Sequence, residues 1–446
     1  MMFTGVQRLL DNIRSRSLSL VMVGCGRVGL PTAALFADAG FHVIVFDLNP
    51  KVVEAINNGV SHINEPHLGE LVSRSVRSGK LRATLNLEDF TGIDSVIISV
   101  QTPVEKKRPN LSFLMKAVES VGKILKKGMI VVIVSTVPPG TMLGKIKPAF
   151  EHLSGLKAEE DFFLAYAPER MAPGKALEEL LENPRLIGGI GPNSTRIVSE
   201  LFRVICKRVI ETNVITAEIA KLAENTYRDI NIAFANQLAL ICEQHGADVK
   251  KVIELANTHP RVNIHAPGPG VGGPCLTKDP YFLIYGLNFP NKDLVSIARK
   301  INDYMPEYVV RLTVKALEKA GKSLKGSKIS ILGTAYKAEV DDPRESPSKY
   351  IIRKLIKLGA RVVAFDPYCR ESFGAERAES IWQALEGADC MVIVTDHKEF
   401  RNLNLQETRT LMNISPSIVD GRRIINPDEA EKLGFIYYGI GFGLRC

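Results

Sequence analysis

Cys275 closes a run of glycines and prolines, Gly268-Pro-Gly-Val-Gly-Gly-Pro274, and is followed by Leu276-Thr-Lys-Asp279-Pro280, where a helix can begin. Such a loop lets a ligand approach the backbone closely. A helix N-terminus with Lys278 beside it lowers a thiol from its reference pKa of about 8.5 toward the thiolate, the form that attacks a carbonyl carbon. The alternative is the usual fate of a free cysteine, a small buried hydrophobe. The residues leave Cys275 balanced between the two, whereas Cys206, Cys242 and Cys390 read as buried. Lys221 and Asn225 stand four apart in a helical pattern and so share one face. An ammonium and an amide there suit an oxygen that gains negative charge, although by themselves they read more readily as a solvated stripe. Thr136, in Ser135-Thr-Val-Pro-Pro-Gly140, and Glu169, in Ala167-Pro-Glu-Arg170, each follow an apolar run. They are expected at the C-terminal ends of strands, where open α/β sheets place ligands.

The elements that must position these groups are legible upstream. An apolar run from Leu18 to Val23 ends in Gly24-Cys-Gly-Arg27-Val28-Gly29 and passes into a helical pattern through Ala39, predicting strand, tight turn and helix. The three glycines have distinct uses: Gly24 for the turn, Gly26 for close approach of a pyrophosphate to backbone, and Gly29 for helix packing. Phe41 to Phe46 is the next strand and Asp47 ends it. A carboxylate there accepts from a ribose 2′-hydroxyl and repels a 2′-phosphate, which favours NAD over NADP. The competing reading makes Asp47 a helix cap before Asn49-Pro50. Further apolar runs at Ser95 to Val100, Met129 to Ser135 and Phe162 to Ala165 continue an alternation of strand and helix, the mark of a doubly wound parallel sheet.

From Thr216 to about His245 there is neither Gly nor Pro, and apolar residues keep helical spacing, predicting one helix of unusual length. The last third repeats the opening theme: Gly359-Ala-Arg-Val-Val-Ala-Phe-Asp366 has the shape of Gly40-Phe-His-Val-Ile-Val-Phe-Asp47. Its first turn, Gly333-Thr-Ala-Tyr-Lys337, lacks the three glycines, so its ligand is expected to differ. The fold class is therefore α/β, with two Rossmann-like doubly wound domains joined by a long central helix and an α-helical middle domain. The expected division is an NAD-binding domain over residues 1–205, a helical dimerisation domain over 206–318 and a nucleotide-sugar domain over 319–446.

Composition narrows the classes. Of 446 residues, 45% are hydrophobic and 24% charged, the profile of a folded globular chain. The formal net charge of +8 is spread along the chain, so no nucleic-acid partner is expected, and Lys106-Lys107-Arg108 reads as a solvated loop. A mild positive excess also suits an enzyme whose two ligands are both pyrophosphates. Seven cysteines without regular spacing fit neither a disulfide framework nor a metal site, and a reducing cytoplasm is the simpler expectation. No apolar run reaches eighteen residues and the first twenty do not form a leader, so neither membrane span nor export is expected.

Taken in order, Gly24 to Pro31, Ser135 to Thr141, Ala167 to Arg170, Ala217 to Asn236, His259-Pro-Arg-Val-Asn263, Gly268 to Asp279 and Asp341-Asp-Pro-Arg-Glu-Ser-Pro347 resemble the UDP-glucose/GDP-mannose dehydrogenase family. The resemblance implies a four-electron oxidation of the C6 alcohol of a UDP-sugar to the uronate, with two NAD used in succession. Cys275 resembles the nucleophile that holds the intermediate aldehyde as a thiohemiacetal and then a thioester. Lys221 and Asn225 resemble the pair that stabilises oxyanions and handles protons, Asp279 the acid near the attacking water, and Thr136 and Glu169 the residues that order water and sugar. The cofactor side is implied at Gly24, Gly26, Arg27, Val28, Gly29, Asp47, Thr102, Thr136 and Arg344. The substrate side is implied at Glu169, Arg170, Lys221, Asn225, Arg228, Gly272, Lys337 and Arg261, the last reaching the site of a neighbouring subunit in a homodimer.

Within the family the branch acting on UDP-N-acetylmannosamine is resembled most, through His259 to Asn263, Pro267 to Gly273 and Asp279-Pro-Tyr-Phe282. Two positions depart from it. Pro274 stands where that branch usually has histidine, and Lys278 where it has an aliphatic residue and the UDP-glucose branch a lysine. UDP-N-acetylglucosamine and UDP-glucose therefore stay open as substrates. A subunit that binds both ligands without turnover is expected to lack Cys275, Lys221 or Asp279, and all three are present.

Overall fold

The apolar runs become strands buried on both faces. The computed structural model describes residues 2–86, 92–289 and 293–443, with the side chains of residues 2–4 left aside. Its first sheet contains β1 (Ser19–Val23), β2 (His42–Phe46), β3 (Leu81–Thr84) and β4 (Ser95–Ile98). After a separate hairpin of β5 (Val104–Glu105) and β6 (Arg108–Pro109), the sheet continues with β7 (Ile130–Ile133), β8 (Phe163–Tyr166), β9 (Arg185–Gly189) and β10 (Val209–Asn213). The strand order is β10-β9-β8-β7-β4-β1-β2-β3. Every pairing is parallel except β8 with β9. Lys106 and Lys107 form the exposed hairpin turn, both at positive φ, in keeping with the solvated loop expected there.

Alternation along β1 sends Leu20 and Met22 into one cluster with Leu30, Phe36 and Phe41, and Val21 and Val23 into another with Val96, Val131 and Phe150. Burial on both faces is what a parallel sheet covered by crossover helices requires.

A second sheet holds β11 (Lys328–Leu332), β12 (Arg361–Phe365), β13 (Glu376–Arg377), β14 (Cys390–Ile393), β15 (Ser417–Asp420) and β16 (Ile436–Gly439), all parallel, in the order β13-β12-β11-β14-β15-β16. The helices Leu294–Lys319 and Pro347–Lys357 cover one face through Met305, Val309, Leu312, Ile351 and Leu355. Between the sheets the described residues form helices and loops only. The expected long helix is Val214–Gln244; it starts where Asn213 Oδ1 accepts from Thr216 N (2.8 Å) and ends before Gly246 at φ +70°. By compactness the chain forms two units, Met1–Glu224 with Tyr281–Tyr285, and Asn225–Pro280 with Gly286–Cys446.

The internal echo of Asp47 and Asp366 is only partial. Asp366 is buried, and its carboxylate accepts from the backbone N–H of Thr334, Ala335, Tyr368 and Cys369 at 2.7–2.9 Å and lies 3.1 Å from His397 Nε2. Those bonds take up its acceptor capacity, so this acid anchors the second sheet's loops. Burial alone would raise its pKa, but His397 and the N–H donors outweigh burial and hold it at about 2. A depressed folded value means stability present above the unfolded pKa near 3.8 and lost as pH falls through about 2. Between pH 5 and pH 2 the wild type is therefore expected to lose about 2 kcal/mol that Asp366→Asn does not lose. Urea unfolding across that range checks it, and equal acid slopes for the two proteins would contradict it.

Candidate active site

β1 pairs with β2 on one side and β4 on the other, so the strand order reverses beside β1, the place where open α/β sheets bind dinucleotides. The three glycines there divide as their spacing predicts. Gly24 has φ +93°, and a Cβ on it would run into the Ser99 carbonyl, while one on Gly29 would run into the Gly24 carbonyl. Gly26 faces open space, so its backbone stays accessible, with Arg27 and Val28 half-buried beside it. Asp47 is half-buried, accepting from Cys25 N (3.0 Å) and Asn49 N (2.9 Å). It is not the helix cap: Asn49, the residue immediately before Pro50, caps Pro50–Asn57 by accepting from Lys51 N. His62, not anticipated from the sequence, lines a cavity of about 540 Å³ and sits against Cys25 and Asp47, with burial depressing its pKa. Open glycine backbone, a half-exposed carboxylate and an adjoining cavity fit NAD.

The neighbouring turns of this sheet are stitched together. Ser135 Oγ donates to Val100 O (2.7 Å) and accepts from Val100 N (2.9 Å), and Thr102 Oγ1 donates to Thr136 O (2.8 Å). This brings Thr102 and Thr136 to one edge. Glu169 follows β8; one carboxylate oxygen accepts from Arg170 N (2.6 Å) and the other pairs with buried Arg185. Arg170 is committed to Pro184 O and to Glu224, both at 2.7 Å. Lys221 and Asn225 are buried, which corrects the reading of a solvated stripe: their helix turns that face inward, with Glu218 wholly buried one turn earlier. Glu218 accepts from Gly140 N (2.6 Å) and Met142 N (2.9 Å), tying the helix to the turn that carries Thr136, and burial pushes its carboxyl to about 7.

In the second unit the cysteine loop lies over the carboxyl ends of the second sheet. A Cβ on Gly272 would meet Glu345 O at 2.7 Å and Tyr336 Cβ at 2.8 Å, and one on Gly273 would meet the Tyr336 ring at 2.7 Å. Only glycine fits this approach. Among the six described cysteines Cys275 alone is exposed. Asp279 N donates to its carbonyl (2.8 Å), and the helix Asp279–Leu283 starts one turn after the thiol, within the stretch where the sequence allowed a helix to begin. Buried Asp279 accepts from Asn225 Nδ2 (2.6 Å) and stands 3.8 Å from Lys278 Nζ. Arg344, linked to the loop through Gly273 N and Arg344 O (3.1 Å), forks onto Asp342, whose hydrogen bonds and charge hold the guanidinium pKa up against burial. This unit thus gathers Cys275, Asp279, Asn225, Gly272 and Arg344.

Arg228, Arg261 and Lys337 are exposed. Sequence reading also missed a basic cavity of about 360 Å³ lined by Lys250, Arg401, Arg422, Arg423 and a single acid, Asp396. Its signal was available: Asp420-Gly-Arg-Arg423 ends an apolar run, so its arginines follow β15 at the ligand end of the sheet. Among the described residues no group of His, Cys, Asp and Glu is arranged to hold a metal, and no helix is long and apolar enough to cross a membrane.

A dinucleotide edge on one sheet and a cysteine loop over a second, basic one define a two-ligand dehydrogenase. Residues 18–206 match the NAD binding domain of the UDP-glucose/GDP-mannose dehydrogenase family, 215–304 its central domain and 330–427 its UDP binding domain, and the chain belongs to that family. It is 42% identical over 427 residues to the UDP-N-acetyl-D-mannosamine dehydrogenase of Pyrococcus horikoshii, covering 96% of this chain and 100% of that one. The solved structure of the P. horikoshii enzyme superposes with a TM-score of 0.91 over the same shares of the two chains. The structure of the NDP-N-acetyl-D-galactosaminuronic acid dehydrogenase of Methanosarcina mazei, 37% identical, gives 0.86 with 98% of each chain covered.

Proposed function

We propose that the protein oxidises the C6 alcohol of UDP-N-acetyl-D-mannosamine to the carboxylate, with UDP-N-acetylglucosamine and UDP-glucose as the next candidates. The observation that carries the reaction is the setting of Cys275: an exposed thiol in a loop whose glycines admit no side chain, one turn from an aspartate held by Asn225. The sugar is supported by likeness along nearly the whole chain to a relative named for it, and by His259 to Asn263.

Bound NAD supplies the hydride acceptor, used twice because each accepts two of the four electrons. Cys275 Sγ adds to the aldehyde carbon, and after the second oxidation the carbon is a thioester, whose C–S bond water breaks to release the uronate and the thiolate. Lys221 and Asn225 stabilise the oxygen that bears negative charge at each stage, with Asp279 beside the attacking water and Thr136 and Glu169 ordering water and sugar. Arg170, Arg228 and Gly272 complete the sugar site. Lys337 takes the substrate pyrophosphate together with Lys250, Arg401 and Arg422, and Arg344 serves the NAD side. Residues 1–205, 206–318 and 319–446 serve as the cofactor, dimerisation and UDP-sugar domains, and the protein works in the cytoplasm as a homodimer. Exposed Tyr227, Phe234 and Ile241, at seven-residue spacing on the long helix, support a helix-to-helix contact between copies.

Offering the purified protein the three UDP-sugars with NAD or NADP, and identifying each acid by mass, tests the reading. The expected product is the N-acetylmannosamine uronate with NAD as the preferred cofactor. Oxidation of none of the three would overturn it.

A further inference from the structure

The single antiparallel junction in the first sheet has a chemical consequence. Parallel strands all deliver their C-terminal ends to the ligand edge, so a residue at the start of such a strand is far from the chemistry. β9 runs against β8, with Ala165 opposite Gly189 and Tyr166 opposite Gly188. Its first residue, Arg185, is thereby carried to the end of β8 from which Glu169 follows.

Arg185 is about 3% exposed and its guanidinium lies over the Phe202 ring, 4.9 Å from the centroid. Phe202 is itself fixed edge-on against Phe36 in the core. Nη1 pairs with Glu169 Oε2, while Nε and Nη2 meet no acceptor among the described residues. The cation is therefore devoted to one carboxylate. Glu169 is about 9% exposed, and its other oxygen is held by the Arg170 N–H. A buried carboxylate with both oxygens engaged is held in orientation, and the buried Arg185 guanidinium matches its charge.

We propose that Arg185 is a positioning residue that acts on the reaction through Glu169, fixing the carboxylate in the one orientation from which it orders the water that cleaves the thioester. This rests on the reading of Glu169 given above. Removing Arg185 alone leaves a buried unpaired carboxylate, which itself destabilises a fold, so the test is a double-mutant cycle of Arg185→Lys, Arg185→Met, Glu169→Gln and the two combined variants.

The expected result is a roughly tenfold to hundredfold fall in kcat for Arg185→Met, a smaller one for Arg185→Lys, and KM values for NAD and UDP-sugar within about twofold of wild type. In the Glu169→Gln background neither Arg185 change lowers kcat further. Because the affected step is hydrolysis, Arg185→Met shows a rapid burst of NADH and a covalent sugar adduct on Cys275 by intact-protein mass. If Arg185→Met does not fold, the Arg185→Met/Glu169→Gln protein, which has no buried lone charge, gives the comparison with Glu169→Gln. Additive losses, or a slower rate with no burst and no adduct, overturn the proposal. Full activity of Glu169→Gln instead sinks the underlying reading of Glu169, so the two failures are distinguishable.

Discussion

Cys275→Ser is expected to form no uronate, with the rate of acid production down by on the order of a thousandfold or more, while its affinity for NAD is unchanged. The hydroxyl is isosteric but is not ionised near neutral pH, so it does not add to the aldehyde as a thiolate does. The residue is exposed, so the substitution leaves no core cavity and folding should be untouched. The first oxidation needs no thiol, and the variant should therefore release at most one NADH per sugar and then stop. Product mass and a fluorescence titration with NAD check both halves of the expectation. Normal uronate formation by this variant would remove Cys275 from the mechanism.

Arg261→Ala carries the next largest effect, a fall of about 100-fold in kcat/KM for the UDP-sugar, the loss expected when a charge-assisted contact to substrate is deleted. The segment around it is held independently: Asn231 donates to Asn263 O (3.0 Å) and accepts from His265 N (2.8 Å), and Asn257 accepts from Ile264 N (2.7 Å). Truncating exposed Arg261 should thus leave the loop in place. If the arginine serves the partner's site, mixing Arg261→Ala with Cys275→Ser subunits restores activity. Half the dimers are then hybrids with one complete site each, so roughly a quarter of wild-type activity returns. A mixture that stays inactive after exchange would place Arg261 in its own subunit's chemistry or outside it.

How much of this was legible beforehand follows from what each signal encodes. Strands buried on both faces announce themselves as apolar runs, and the glycine fingerprint and the long helix are local patterns, so both sheets and the helix could be placed from the sequence. Side-chain partnerships are not local. Nothing near Glu169 announces Arg185, sixteen residues on, because the pairing depends on a reversed strand. Lys221 and Asn225 looked solvated because polar residues on a helix usually are; what buries them is packing that helical spacing does not encode. Asp366 repeats the position of Asp47 in its strand, yet His397 and four backbone donors turn it into an anchor, a difference invisible in the echo itself. Arg422 and Arg423 follow β15 as a local signal, but Lys250 and Arg401, which complete the basic cavity, come from distant stretches of chain.

The central claim is a four-electron oxidation through a covalent intermediate, and its most direct test is the NADH count on limiting UDP-N-acetyl-D-mannosamine with excess NAD. Two NADH per uronate, with no free aldehyde trapped by an added amine, is the predicted result. One NADH per sugar with an aldehyde as the final product would contradict it.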